Sequence, residues 1–282
     1  MSDNRDPRNI DTATVRGFGE EWTAFDQMSL AEDEHRDWFD SYFRIFPFDE
    51  LKPGAEGFDL GCGSGRWASE VAGRVGLLHC IDPAGSALAI ARKRMASVAN
   101  VRFHEAASDE IPLDDESQDF GYSLGVLHHI PDTRRALNDC VRKLRGGAPF
   151  LLYIYYSFDN RPRWYRTVWS ASDFARRKIS GLSFGKKRAI TEAIAALVYW
   201  PLARGAGLAE KLGFNVFHWP LAPYRNGKFY WMRTDALDRF GTRLEQRFSR
   251  SEIAEMMTAA GLEDIRFSER EPFWVACGRK AR

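Results

Sequence analysis

The sequence predicts an α/β fold, a mostly parallel sheet with helices on both faces. Three observations carry that expectation. Short apolar runs alternate with amphipathic ones between residues 51 and 157. A glycine-rich turn, Gly61-Cys62-Gly63-Ser64-Gly65, stands directly behind the first apolar run. One amphipathic stretch and two strand-like runs return at the C-terminus after a long interruption.

Residues 1–50 read as an N-terminal helical cap. Residues 1–15 are polar, but Phe18, Trp22 and Phe25, then Trp38, Phe39, Tyr42 and Phe43, recur at helical spacings and share one face of each helix. Pro53-Gly54 marks a turn. The core, residues 51–157, then runs in order. "GFDLGCG" is a strand entering the glycine turn, and "RWASEVAGRV" is a helix. "GLLHCID" is a second strand ending at Asp82, and "SALAIARKRMASV" is a helix with Ser86 as its N-cap. "NVRFHEAA" and "QDFGYSLGVLHHI" hold the third and fourth strands. "TRRALNDCVRKLRGG" is a helix closed by Gly146-Gly147. "PFLLYIYY" is a fifth strand ending in Tyr155 and Tyr156, apolar enough to be covered on both faces.

Residues 158–247 break the rhythm and are rich in Arg, Trp, Tyr and Pro. They read as a helical, aromatic insertion, with "ITEAIAALVYWPLARGAGLAEKL" split into two helical pieces at Pro201. Residues 248–282 complete the core: "SRSEIAEMMTAAGL" is a capped helix, and "EDIRFSER" and "PFWVACGRK" form an antiparallel pair at the sheet edge.

Composition narrows the function. The 282 residues carry a net charge of +1, so the chain as a whole has no electrostatic footprint for nucleic acid. The charge is uneven: residues 1–50 hold thirteen acids and five bases, and residues 159–188 hold nine bases and two acids. The four cysteines form no C-x-x-C pair, which argues against a zinc site and fits a reducing compartment. No metal is expected. The N-terminus lacks the apolar core of a signal peptide, and no run is long enough to span a bilayer, so the expected location is cytoplasmic.

The glycine turn supplies positive-φ positions and close backbone access, and the helix after it offers unpaired N–H donors. A dinucleotide fingerprint needs a small residue at the sixth position, and Arg66 stands there. Asp82, 21 residues after Gly61, is placed to accept both hydroxyls of an adenosine ribose.

These stretches resemble a known family. "FDLGCGSGRWA", "CIDPAGSALAIARKRM", "DEIPLDDESQDFGYSLGVLHHIPD" and "CVRKLRGGAPFLLYIYY" are similar, in order and spacing, to the motifs of class I S-adenosylmethionine-dependent methyltransferases, in the group resembling ubiquinone and menaquinone methyltransferases. The resemblance covers residues 55–157, and "FSRSEIAEMMTAAGLEDIRFSER" resembles the family's last helix and strands. It implies a Rossmann-like, seven-stranded sheet with an antiparallel last strand, S-adenosyl-L-methionine (SAM) across the carboxyl ends of the strands, and S-adenosyl-L-homocysteine as product. Gly61, Gly63 and Gly65 then approach the methionine part, Asp59 organises the loop, and Asp82 holds the ribose. Ser108 and Asp109 lie near the adenine, although many relatives carry an acid where Ala107 or Ser108 stands. Leu124 and Gly125 flank the sulfonium.

His129 and His128, just past the fourth strand, are the candidate general bases for an acceptor hydroxyl or protonated amine. Tyr155, Tyr156 and Arg161 are the candidate acceptor contacts, since Arg among aromatics grips carboxylates, phosphates or sugars. The reading is methyl transfer to oxygen or nitrogen of a small-molecule or sugar-containing acceptor. Wobble-uridine tRNA is the runner-up acceptor, with faint likeness in "SLGVLHHIPD" and "LYIYY". A non-catalytic SAM-binding module and peripheral membrane contact through "ALVYWPLARGAGL" also stay open.

Overall fold

Strands that are apolar on both faces need helices on both sides, and the chain supplies them in alternation. The computed structural model describes residues 8–24 and 32–282; Phe25 and residues 1–7 of the expected cap lie outside these. The chain divides into two compact units, Met1–Ser157 with Leu244–Arg282, and Phe158–Arg243.

The first unit begins with α1 (Thr12–Ala24) and α2 (Glu32–Phe43). Then come β1 (Glu56–Leu60), α3 (Ala68–Ala72), β2 (Leu77–Asp82), α4 (Gly85–Arg94), β3 (Val101–Glu105), β4 (Phe120–Leu124), α5 (Thr133–Lys143) and β5 (Pro149–Tyr153). The second unit holds α6 (Arg163–Ile179), α7 (Phe184–Ile194), α8 (Trp200–Lys211) and α9 (Phe229–Gly241). The first unit then resumes with α10 (Arg250–Ala259), β6 (Leu262–Phe267) and β7 (Val275–Lys280).

The seven strands lie in the order β3-β2-β1-β4-β5-β7-β6. The first five run parallel; β7 is antiparallel to both β5 and β6, so the C-terminal pair does form the edge. Successive side chains alternate between two cores. Leu78 and Cys80 of β2, Tyr122 of β4 and Leu151 of β5 face one core with α2, α3 and α4. Phe58 and Leu60 of β1, with Phe150 and Leu152 of β5, face the other with α5 and α10. The strand order reverses direction between β1 and β4, which opens a crevice at their carboxyl ends, the usual ligand position in such sheets.

Three local expectations are corrected. Ser86 is not the N-cap of α4: that position is Ala84, whose N–H donates to Asp82 Oδ1 at 2.8 Å. Pro201 does not break the helix at its own position. It sits in the first turn of α8, directly behind a π-helical segment at Ala195–Tyr199 that runs on from α7. A proline lacks an N–H and crowds the carbonyl four residues back, and a widened turn there relieves both. The fifth strand stops at Tyr153, and Tyr156 makes only an isolated bridge to Phe248. By contrast, α10 is capped as expected, by a complete capping box of Ser249 with Glu252.

Candidate active site

The carboxyl ends of β1, β2 and β4 open into one cavity of about 130 Å³, lined by residues of the first unit. Its floor is the glycine turn. Gly61 (φ +80°) and Gly63 (φ +53°) both occupy the left-handed region. A Cβ on Gly61 would meet the Val126 side chain at 2.3 Å, and one on Gly63 would meet the Trp22 indole at 3.2 Å. Both positions disfavour larger residues by conformation, and Gly61 excludes them by space as well. Gly65 (φ +74°) is not part of the wall; it lets α4 approach, since a Cβ there would lie 2.6 Å from Met95 Cε.

Asp82 closes β2 and lines the cavity. Its Oδ2 accepts the Gly63 N–H at 2.9 Å and its Oδ1 accepts the Ala84 N–H at 2.8 Å. One carboxylate thus ties the glycine turn to the start of α4. Burial raises its pKa to about 6, against the pull of the Ala84 and Gly63 N–H groups. Each oxygen keeps a further lone pair for a ligand hydroxyl.

Ser108, after β3, lines the cavity, and its Oγ is buried with no hydrogen-bond partner among the described residues. Leu124 and Gly125, at the end of β4, complete this side; Gly125 (φ +78°) has open space where a Cβ would be.

His129 stands in the wall on a 3₁₀ turn, Leu127–His129. Its Nδ1 lies 2.6 Å from the Leu244 carbonyl oxygen. A carbonyl only accepts, so Nδ1 carries the proton and, in the neutral ring, Nε2 is the basic nitrogen. The segment after the second unit holds this loop further: Gln246 N–H donates to the His128 carbonyl at 3.0 Å, and Gln246 Nε2 donates to the Ile130 carbonyl at 2.7 Å.

The remaining candidates lie elsewhere. His128 is fully buried, outside the cavity wall, between the His129 ring at 3.9 Å and the Tyr155 ring at 4.0 Å. Burial first, then His129 and Arg247, holds its pKa well below the ordinary value. Asp59 is buried beneath the turn, and burial pushes its pKa well up. Asp109 is held by the Asn9 N–H at 2.7 Å and by Arg135 at 3.4 Å. Tyr155 packs under Arg247, and Tyr156 packs against Phe273 and Trp274. Arg161 belongs to the second unit, where it donates to the Phe217 carbonyl and covers the Phe217 ring.

The residues missed by sequence reasoning are those of α1 and the chain before it. Thr14, Val15, Phe18 and Trp22 roof the cavity, with Phe18 4.9 Å from the His129 ring. Thr14 Oγ1 is buried and has no hydrogen-bond partner among the described residues. Asn9 latches this roof, since its side chain exchanges two 2.8 Å bonds with the Asp132 backbone. The Phe18–Trp22 spacing was visible, but a helix face that covers a cavity has the same pattern as one that covers a core. No group of three or more His, Cys, Asp or Glu suited to a metal occurs among the described residues.

Residues 58–152 match the family model described as a methyltransferase domain. The chain is 32% identical over 111 residues to phosphoethanolamine N-methyltransferase 2 of Caenorhabditis elegans, covering 38% of this chain and 25% of that protein. It is 31% identical over 124 residues to a ubiquinone/menaquinone biosynthesis C-methyltransferase of Brucella canis, covering 42% of this chain and 45% of that one. The match thus spans less than half the length of either relative. Among solved structures, a SAM-dependent methyltransferase of Methanosarcina mazei superposes with a TM-score of 0.51 at 16% identity, over 84% of this chain and 98% of that one, a likeness of fold.

Proposed function

We propose that this chain, which carries a class I S-adenosylmethionine-dependent methyltransferase domain, transfers a methyl group to an oxygen or nitrogen of a small acceptor, with His129 as general base. The observation that carries the reading is the cavity itself. Buried polar groups, Asp82, Ser108 Oγ and Thr14 Oγ1, meet glycine backbone there at the switch point of the sheet. That donor set fits SAM: the Asp82 carboxylate suits the ribose hydroxyls, and Ser108 lies where the adenine is expected. Leu124 and Gly125 leave room beside β4 for the sulfonium.

SAM supplies a methyl group already activated on a positive sulfur. The chain's own task is to align an acceptor atom with it and to keep water out, which α1 serves by roofing the cavity with Phe18 and Trp22. The Leu244 carbonyl presents His129 Nε2 as the nitrogen able to take a proton from an acceptor hydroxyl or ammonium group. His128, buried and neutral, packs behind it as support. The C. elegans relative, named for acting on phosphoethanolamine, supports a small acceptor.

Titration of the ligand-free protein with SAM by calorimetry tests the first half; absence of binding by folded protein defeats it. His129→Ala is expected to lower turnover by about 10²-fold while leaving SAM affinity within a few-fold. Unchanged turnover returns His129 to a packing role.

A further inference from the structure

The second unit exposes what a water-soluble surface ordinarily hides. α8 turns Ala203, Ala206 and Ala209 inward. It leaves Trp200, Leu202 and Leu208 at 47%, 46% and 61% exposure, followed by Leu212 at 69% and Phe214 at 63%. An amphipathic helix of a soluble protein does the reverse. α6 repeats the theme: Trp164, Val168 and Phe174 are about half exposed or more. Arg163, Arg166, Arg177 and Lys178 stand exposed on the same helix. Exposed Trp, Val and Phe interleaved with exposed Arg and Lys on one helix suit an interface of acyl chains and anionic headgroups.

Charge points the same way. Phe158–Arg243 holds sixteen bases and six acids, while the rest of the chain holds 24 bases and 33 acids. We propose that the second unit is a docking surface for an anionic lipid bilayer, entered by the apolar side chains of α8 and α6 and attracted through their flanking arginines and lysines. A second copy meeting through the same face would bring like charge against like charge. RNA would use the charge and the tryptophans for stacking, but exposed Leu208, Leu212 and Val168 offer a base nothing. Aliphatic side chains gain from acyl chains, and the basic side chains gain from anionic headgroups. No helix among the described residues is long and apolar enough to cross a membrane, so the contact is peripheral. The proposal does not depend on the acceptor or on His129.

The test is co-sedimentation of the full chain with extruded vesicles, either phosphatidylcholine alone or with about a quarter phosphatidylglycerol. The protein is expected to pellet with the anionic vesicles, to stay in solution with the neutral ones, and to be released by salt at about 0.5 M or more. The pairs Leu208→Ser/Leu212→Ser and Arg163→Glu/Arg166→Glu should each lower the partition coefficient by about tenfold or more. These positions are exposed, and an unchanged urea midpoint shows that each variant is folded. The proposal is overturned if the protein ignores anionic vesicles, or if both vesicle types bind it alike. It is also overturned if it sediments as a dimer that the leucine variant dissolves, or if RNA binds while vesicles do not.

Discussion

The two units of this chain use large apolar side chains differently. In the first unit Phe58, Phe120 and Phe150 are fully buried between sheet and helices. In the second, Met232, Leu237 and Phe240 are buried, but along α8 small alanines fill the helix contacts and Trp200, Leu202 and Leu208 stand outside. Every strongly exposed large hydrophobic residue among those described lies between Trp164 and Trp219. The difference teaches that hydrophobic content alone does not locate a core: in one unit it marks packing, in the other both a core and an exposed apolar surface.

Paired substitutions can break or sharpen that contrast. The largest effect is expected for Phe150→Ala, which empties a fully buried site and should cost about 3–5 kcal/mol in urea unfolding. A cost near that of a surface change would contradict the assignment of the first core. Gly61→Val comes next. It forces a branched residue to φ +80° and against Val126, about 1–2 kcal/mol for conformation and about 1–3 for overpacking. SAM binding should vanish in the same variant if the turn is the cofactor floor. The smallest stability effect belongs to Leu212→Ser in the second unit, expected within about 0.5 kcal/mol of the parent. A loss of several kcal/mol there would mean that Leu212 is covered after all.

Between these sits Asp82 and its dependence on pH. Its folded pKa is raised to about 6 from 3.8, so in that window the folded state holds the proton more tightly than the unfolded chain. Its contribution to stability is therefore most favourable at low pH and is lost as pH rises through about 4 to 6, by on the order of 2–3 kcal/mol at neutrality. Ligand affinity should run the other way, because ribose hydroxyls bond the ionised carboxylate more strongly. SAM affinity measured between pH 5 and 7.5 should rise with pH in the parent and be flat in Asp82→Asn. An identical profile in both would remove Asp82 from the ribose site.

Much of the site was legible because its causes are local. The run Gly61-Cys62-Gly63 behind a strand, and Asp82 at the end of the next, follow from turn chemistry and strand length. The stretch "SRSEIAEMMTAAGL" declared a capped helix in the same way, and Ser249 with Glu252 supplies the cap. Ser86 misled because the nearer Asp82 carboxylate, two residues before Ala84, bonds the start of the helix instead. Gly65 was visible as a glycine, but whether it met ligand or helix depended on where α4 packed.

The sequence alone determined the strand–helix alternation, the glycine turn, the acid at the tip of β2 and the histidine pair after β4, since each arises from residues a few positions apart. Tertiary structure alone decided which histidine faces the cavity, and that Leu244, 115 residues away, sets its tautomer. It alone decided that α1 roofs the cavity and that α8 turns its leucines outward. Those outcomes rest on contacts between elements far apart in the chain. A periodic pattern states that a face is apolar; only packing settles what that face meets.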